Sequence, residues 1–100
     1  MIRGTTPTHQ FTLSFDTDRL RCVRIIYAQN DEIVLAKDTD DCTLDGPTIT
    51  VTLSQEETFR FDCKEFAQIQ VRVLTRANES LVSPIIKEKI EKCLDSEVMV

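Results

Sequence analysis

Thr48 to Leu53 reads TITVTL, with three aliphatic residues on one parity and three threonines on the other. In an extended chain successive side chains point to opposite faces, so this segment offers one face to a core and one to water. Its β-branched residues suit a half-buried pleated surface. The same alternation recurs where Phe11, Leu13 and Phe15 interleave with Gln10, Thr12 and Ser14, and where Ala67, Ile69, Val71 and Val73 interleave with Gln68, Gln70, Arg72 and Leu74. Between them, Leu20 to Gln29 (LRCVRIIYAQ) puts Val23, Ile25 and Tyr27 on one face and Cys22, Ile26 and Ala28 on the other. Apolar content on both faces is the mark of a central strand.

The connections carry turn chemistry. Asn30 and Asp31 separate that strand from EIVLAK, Glu32 to Lys37, which predicts an antiparallel hairpin. DTDDCTLDG, ended by Gly46 and Pro47, reads as an acidic, turn-rich connection. Ser54 precedes Glu57 by three residues, the capping-box spacing, which predicts a single helical turn near Ser54 to Thr58 with Phe59 and Phe61 anchored in the core beyond it. Ala77, Asn78 and Glu79 form a second hairpin loop.

The segment Leu81 to Leu94 supports two readings. Ser83 and Pro84 resemble a helix start, and Ile86, Ile90, Cys93 and Leu94 recur at helical spacing. Ile86, Ile90 and Leu94 also share one strand parity, and a short loop would pair such a strand with the one before it. The chain thus reads as one domain, residues 1–100, of the all-β class. The expected form is an antiparallel immunoglobulin-like β-sandwich of about six or seven strands, with turns every ~8 to 12 residues. An α+β fold with a C-terminal helix over Pro84 to Leu94 is the alternative.

Charge narrows the function classes. Twelve basic against seventeen acidic residues give a net charge of -5, which repels phosphate backbones and anionic lipid, so neither a nucleic acid nor a membrane is expected as partner. No window approaches the ~18 apolar residues of a membrane-spanning helix. The first residues lack the apolar run of about seven that a signal peptide needs, which predicts a cytoplasmic location at synthesis. In that setting Cys22, Cys42, Cys63 and Cys93 are expected to be free thiols, mostly buried. None of them forms a CxxC pair, so zinc and redox signatures are missing.

Each candidate for chemistry has a structural counterpart. Glu56 and Glu57 are adjacent, so they do not face a common substrate as an acid/base pair does, and the capped turn accounts for them. Asp38, Asp40, Asp41 and Asp45 offer hard oxygen ligands for calcium, but Cys42 stands where an EF-hand loop needs an oxygen, so a solvated acidic loop is expected. His9 is the single histidine and the only imidazole partner for any cysteine nucleophile. With Asp41 beside Cys42 and Asp62 beside Cys63, neither thiol is expected to be a reactive nucleophile. Two glycines, Gly4 and Gly46, exclude a phosphate-cradling loop. Gln70 and Arg72, on the outer face of the long strand, are candidates for a contact surface, with solvated strand polarity as the default reading. No catalytic, cofactor-binding or metal-binding residue is assigned, and no cofactor is expected.

RGTTPTHQFTL, RIIYAQNDEIVLAK, LDGPTITVTLSQEETFRF and IQVRVLTR together resemble a family of small, mostly uncharacterised proteins encoded in tailed phages and prophages. The resemblance spans nearly the whole chain. It implies an immunoglobulin-like module associated with a virion's tail, neck or baseplate, without catalytic residues, whose partners are other virion or prophage-encoded proteins or copies of itself. It also favours a strand over Leu81 to Cys93. A ligand- or carbohydrate-binding sandwich of a host-recognition device is the second expectation, disfavoured by the lack of Trp and the single Tyr, because sugars stack on exposed aromatics.

Overall fold

A computed structural model describes residues 1–100 as two antiparallel β-sheets that share one core. The strands are β1 (Thr8–Thr12), β2 (Leu20–Gln29), β3 (Glu32–Asp38), β4 (Cys42–Asp45), β5 (Thr48–Thr52), β6 (Ala67–Thr75), β7 (Ser80–Val82) and β8 (Ile86–Glu88). One short helix, α1 (Gln55–Thr58), joins β5 to the loop before β6. The smaller sheet has the order β1-β5-β4. The larger has the order β3-β2-β6, with β7 and β8 both on the far side of β6. No helix is long and apolar enough to cross a membrane.

The predicted alternations set the core. Ile49, Val51 and Leu53 from the smaller sheet meet Val23, Ile25, Tyr27, Ala67, Ile69, Val71 and Val73 from the larger, all buried in a cluster of 14 residues. The central position of β2 also emerges, since it pairs with β3 on one side and β6 on the other. Gln29 pairs with Glu32 across a two-residue turn in which Asn30 and Asp31 have φ of 50° and 63°. Positive φ at both positions matches the right-handed twist of the flanking strands. The capping box is formed: Ser54 Oγ accepts from the Glu57 amide at 3.1 Å, and Glu57 Oε1 accepts from the Ser54 amide at 2.9 Å.

Several expectations are corrected. The acidic stretch is only partly a loop: a 3-10 turn over Thr39–Asp41 leads into β4, whose Cys42 and Leu44 lean on the core while Thr43 and Asp45 face water. The first strand covers Thr8–Thr12 and has ended before Leu13 and Phe15, which remain packed against the core as chain rather than ladder. The C-terminal segment forms two short strands and no helix. β7 pairs with Arg72 to Leu74 and β8 with Ala67 to Ile69, so together they make one interrupted edge along β6. Pro84 falls in the interruption, where the Ser83 hydroxyl accepts from the Val71 amide at 3.0 Å and the Ser83 amide donates to the Val71 carbonyl at 2.9 Å. An edge position tolerates a proline because no neighbouring strand needs its missing N–H.

The cysteines are free, as expected, but not buried: Cys22 and Cys63 are exposed, and Cys42 and Cys93 are half-buried. Phe61 is 1% exposed in the core. Phe59 is only half-buried, and its ring lies across Gly4, where a Cβ would come within 2.6 Å of it; Gly4 also has φ of +82°. The Arg3 guanidinium sits 5.5 Å from the same ring's centre. Phe61→Ala should therefore cost about 3 to 5 kcal/mol, and Phe59→Ala clearly less, in chemical denaturation. Equal losses would contradict this division.

Candidate functional site

Two polar clusters lie between the sheets, and one groove opens on the outside of the larger sheet. The first cluster forms around Tyr27, which is fully buried in β2. Its hydroxyl lies 2.7 Å from His9 Nδ1 on β1, so this hydrogen bond crosses from one sheet to the other. His9 Nε2 faces a Glu88 carboxylate oxygen on β8 at 3.5 Å, long for a hydrogen bond but within electrostatic reach. The other oxygen of Glu88 lies 3.1 Å from the Met1 ammonium, which also donates to the Lys89 carbonyl at 2.8 Å. Burial, and then the negative charge of Glu88, raise the Tyr27 pKa, so the phenol stays neutral and has a proton to donate. All three groups are satisfied when Tyr27 donates to Nδ1 and the Nε2–H points at Glu88.

The second cluster joins Lys37 of β3 to Glu57 of α1. Lys37 Nζ lies 2.8 Å from Oε1 and 2.7 Å from Oε2, and both side chains are mostly shielded from solvent. Burial alone would raise the Glu57 pKa, but the hydrogen bonds from Lys37 and from the Ser54 amide outweigh it and hold the carboxyl below its usual value. Glu57 thus has a second role that the capping pattern did not reveal. Glu56, its neighbour, is exposed, and the two carboxylates point to different surroundings. Cys42 lies close enough to feel Lys37. Burial, then Asp41, push its thiol pKa up, against a smaller opposing effect of Lys37.

The remaining candidates separate in space. Asp41 accepts from the Asp38 amide at 2.9 Å and so closes the 3-10 turn, while Asp45 sits at the end of β4. No three of the His, Cys, Asp and Glu side chains converge as a metal-binding group. Gln70 donates to the Ser83 carbonyl at 3.0 Å and holds the edge turn, which gives it a structural task. Arg72 is exposed on the outer face, opposite Arg24 of β2 and Val82 of β7. Beside it a groove of about 530 Å³ is lined by Cys22, Arg24, Asp38, Thr39, Leu74 and Ser80, among others. Of the aromatic rings only Phe66 stands out into solvent, at 59% exposure, so a sugar has one ring to stack on.

The His9–Tyr27 contact leaves no local mark, because the partners are 18 residues apart and lie in different sheets. The one available signal was parity: His9 shares the inward parity of Phe11. Compared with protein-family models, with curated proteins and with solved structures, the chain matches none.

The His9 environment fixes a pH dependence. Burial, opposed by Glu88 and aided by the nearby ammonium, lowers the His9 pKa below the ordinary 6.5. The unfolded chain therefore binds a proton before the folded one does, and stability falls as pH drops from about 6.5 through the folded-state value. The Glu57 carboxyl, also lowered, contributes in the same direction only below its ordinary 4.5. Denaturation midpoints taken between about pH 7 and pH 5 should decline for the wild type, and His9→Gln should flatten that decline. An unchanged slope in the variant would contradict the assignment.

Proposed function

We propose that this chain is an immunoglobulin-like protein-interaction module of a phage or prophage particle, acting through contacts and not through catalysis. Strand order supports the topology. In the immunoglobulin arrangement one sheet runs A-B-E-D and the other G-F-C, with C′ added beyond C in the variable type. Reading β1 as B, β5 as E and β4 as D accounts for the smaller sheet. Reading β3 as C′, β2 as C, β6 as F and the β7–β8 edge as G accounts for the larger. Residue 2 bridges in parallel to residue 91. Tyr27, the largest fully buried side chain, lies on the strand read as C, where immunoglobulin domains carry a core tryptophan.

The observation that carries the interaction reading is the aliphatic edge of the larger sheet. Leu81, Val82, Ile85 and Ile86 are 40%, 51%, 52% and 44% exposed, on or between strands whose outer side has no neighbour. Adjoining apolar residues at a free edge are a docking surface for another chain. Pro84 and the three-residue lengths of β7 and β8 limit how long a ladder such a partner can form, so side-chain fit supplies most of the contact. The sequence resemblance supplies the particle setting.

Mass spectrometry of purified particles from a producing lysate should detect the chain, and Val82→Glu with Ile85→Glu should remove it while leaving the melting temperature of the isolated domain nearly unchanged. Consistent absence of the wild type from particles and their assembly intermediates would contradict the proposal.

A further inference from the structure

The groove on the outer face begins with an irregularity in β2. Leu20 pairs with Thr75 and Cys22 pairs with Leu74, so Arg21 is an extra residue bulged between them. Strict alternation from Val23 and Ile25 would turn Arg21 into the core and leave Leu20 outside. The bulge reverses this: Leu20 is buried, and Arg21 and Cys22 are both exposed. Bulges of this kind re-aim side chains.

On the same face Arg24 and Arg72 stand directly opposite one another on adjacent strands. Like charges at such positions repel. Asp38, the partner of Arg24 on its other side, binds only the Nε edge, at 3.2 Å. Arg21 and Arg72 have no carboxylate partner. Two exposed guanidiniums, those of Arg24 and Arg72, thus line a groove of about 530 Å³ that also holds the Ser80 hydroxyl, with Asp38 and Asp40 on its wall. Asp38 is engaged by Arg24, so Arg72 is the lining cation without a counterion.

We infer that this groove binds carboxylate side chains of an extended acidic segment of a partner protein. The inference rests on the interaction reading above and gives that partner a chemistry. Guanidinium forks match carboxylates two bonds at a time, and an anion between Arg24 and Arg72 relieves their repulsion. The aliphatic border fits a peptide better than a free anion: Val82 lies opposite Arg72 on the same face, so a segment with acidic and aliphatic residues meets both surfaces. Asp40 on the groove wall disfavours the doubly charged phosphate group more than a single carboxylate.

The test uses the full chain and a labelled peptide of alternating glutamate and leucine, followed by fluorescence anisotropy, with inorganic phosphate titrated separately by calorimetry. Arg72 is exposed, so its variants keep the fold, which melting curves verify. The wild type should bind the peptide more weakly as salt rises. Arg72→Ala should weaken binding by roughly a factor of ten, Arg72→Lys by less, and Asp40→Asn should strengthen it. Failure of the wild type to bind the peptide, or equal binding by Arg72→Ala, overturns the inference. So does phosphate binding that depends on Arg72 while the peptide stays free. Measured in parallel, particle association separates the two claims. A chain that joins particles but ignores the peptide refutes the groove assignment alone. A chain that binds the peptide through Arg72 but never joins particles refutes the particle reading alone.

Discussion

A tyrosine hydroxyl in the middle of an aliphatic core is the constraint around which this sandwich closes. A buried hydroxyl without a partner loses the hydrogen bonds that water gave it, a penalty of about 1 to 3 kcal/mol. Tyr27 avoids it only because β1 brings His9 across from the other sheet. The imidazole in turn lies beside Glu88, and Glu88 draws in the Met1 ammonium. Apolar packing alone lets two sheets slide against each other at small penalty, whereas a directional bond between them does not. The β1 and β8 margins are thereby fastened together on one side of the core. On the β3 side Lys37 and Glu57 do comparable work, and an inward-turned lysine also makes that edge a poor template for another strand.

These two closures leave the outer face of the larger sheet and its β7–β8 margin as the surfaces proposed for contact. There the chain departs from regularity: a bulge at Arg21, two arginines paired across strands, and a proline between two short strands. Each departure has a local counterpart that keeps it tolerable. Asp38 shares the charge of Arg24, and the Ser83 hydroxyl stands in for a ladder acceptor beside Pro84. Irregularities retained on one surface, over a core that follows simple alternation, are consistent with a surface shaped for contact.

The legible part of the fold follows from signals that are local and strong. Alternation over Thr48 to Leu53 and Ala67 to Val73, the Asn30-Asp31 turn and the Ser54–Glu57 box each need only neighbouring residues to act. What escaped depends on distant partners. β4 has only four residues and two half-buried side chains, too few for its acidic sequence to show a period. Pro84 and KEKIEK have helical character, but β6 offers the segment hydrogen bonds and a pleated surface, and that tertiary gain prevails. The Arg21 bulge breaks parity where the sequence gives no glycine to mark it. The His9 hydrogen bond and the Glu57 ion pair are not legible because Tyr27 and Lys37, their partners, lie 18 and 20 residues along the chain.

The most direct test of this account is a double-mutant cycle between the sheets, with His9→Leu, Tyr27→Phe and the pair compared by chemical denaturation near neutral pH. If the hydroxyl–imidazole bond fastens the sheets, the two losses should fall short of additivity by about 1 kcal/mol. Strict additivity within error would contradict it.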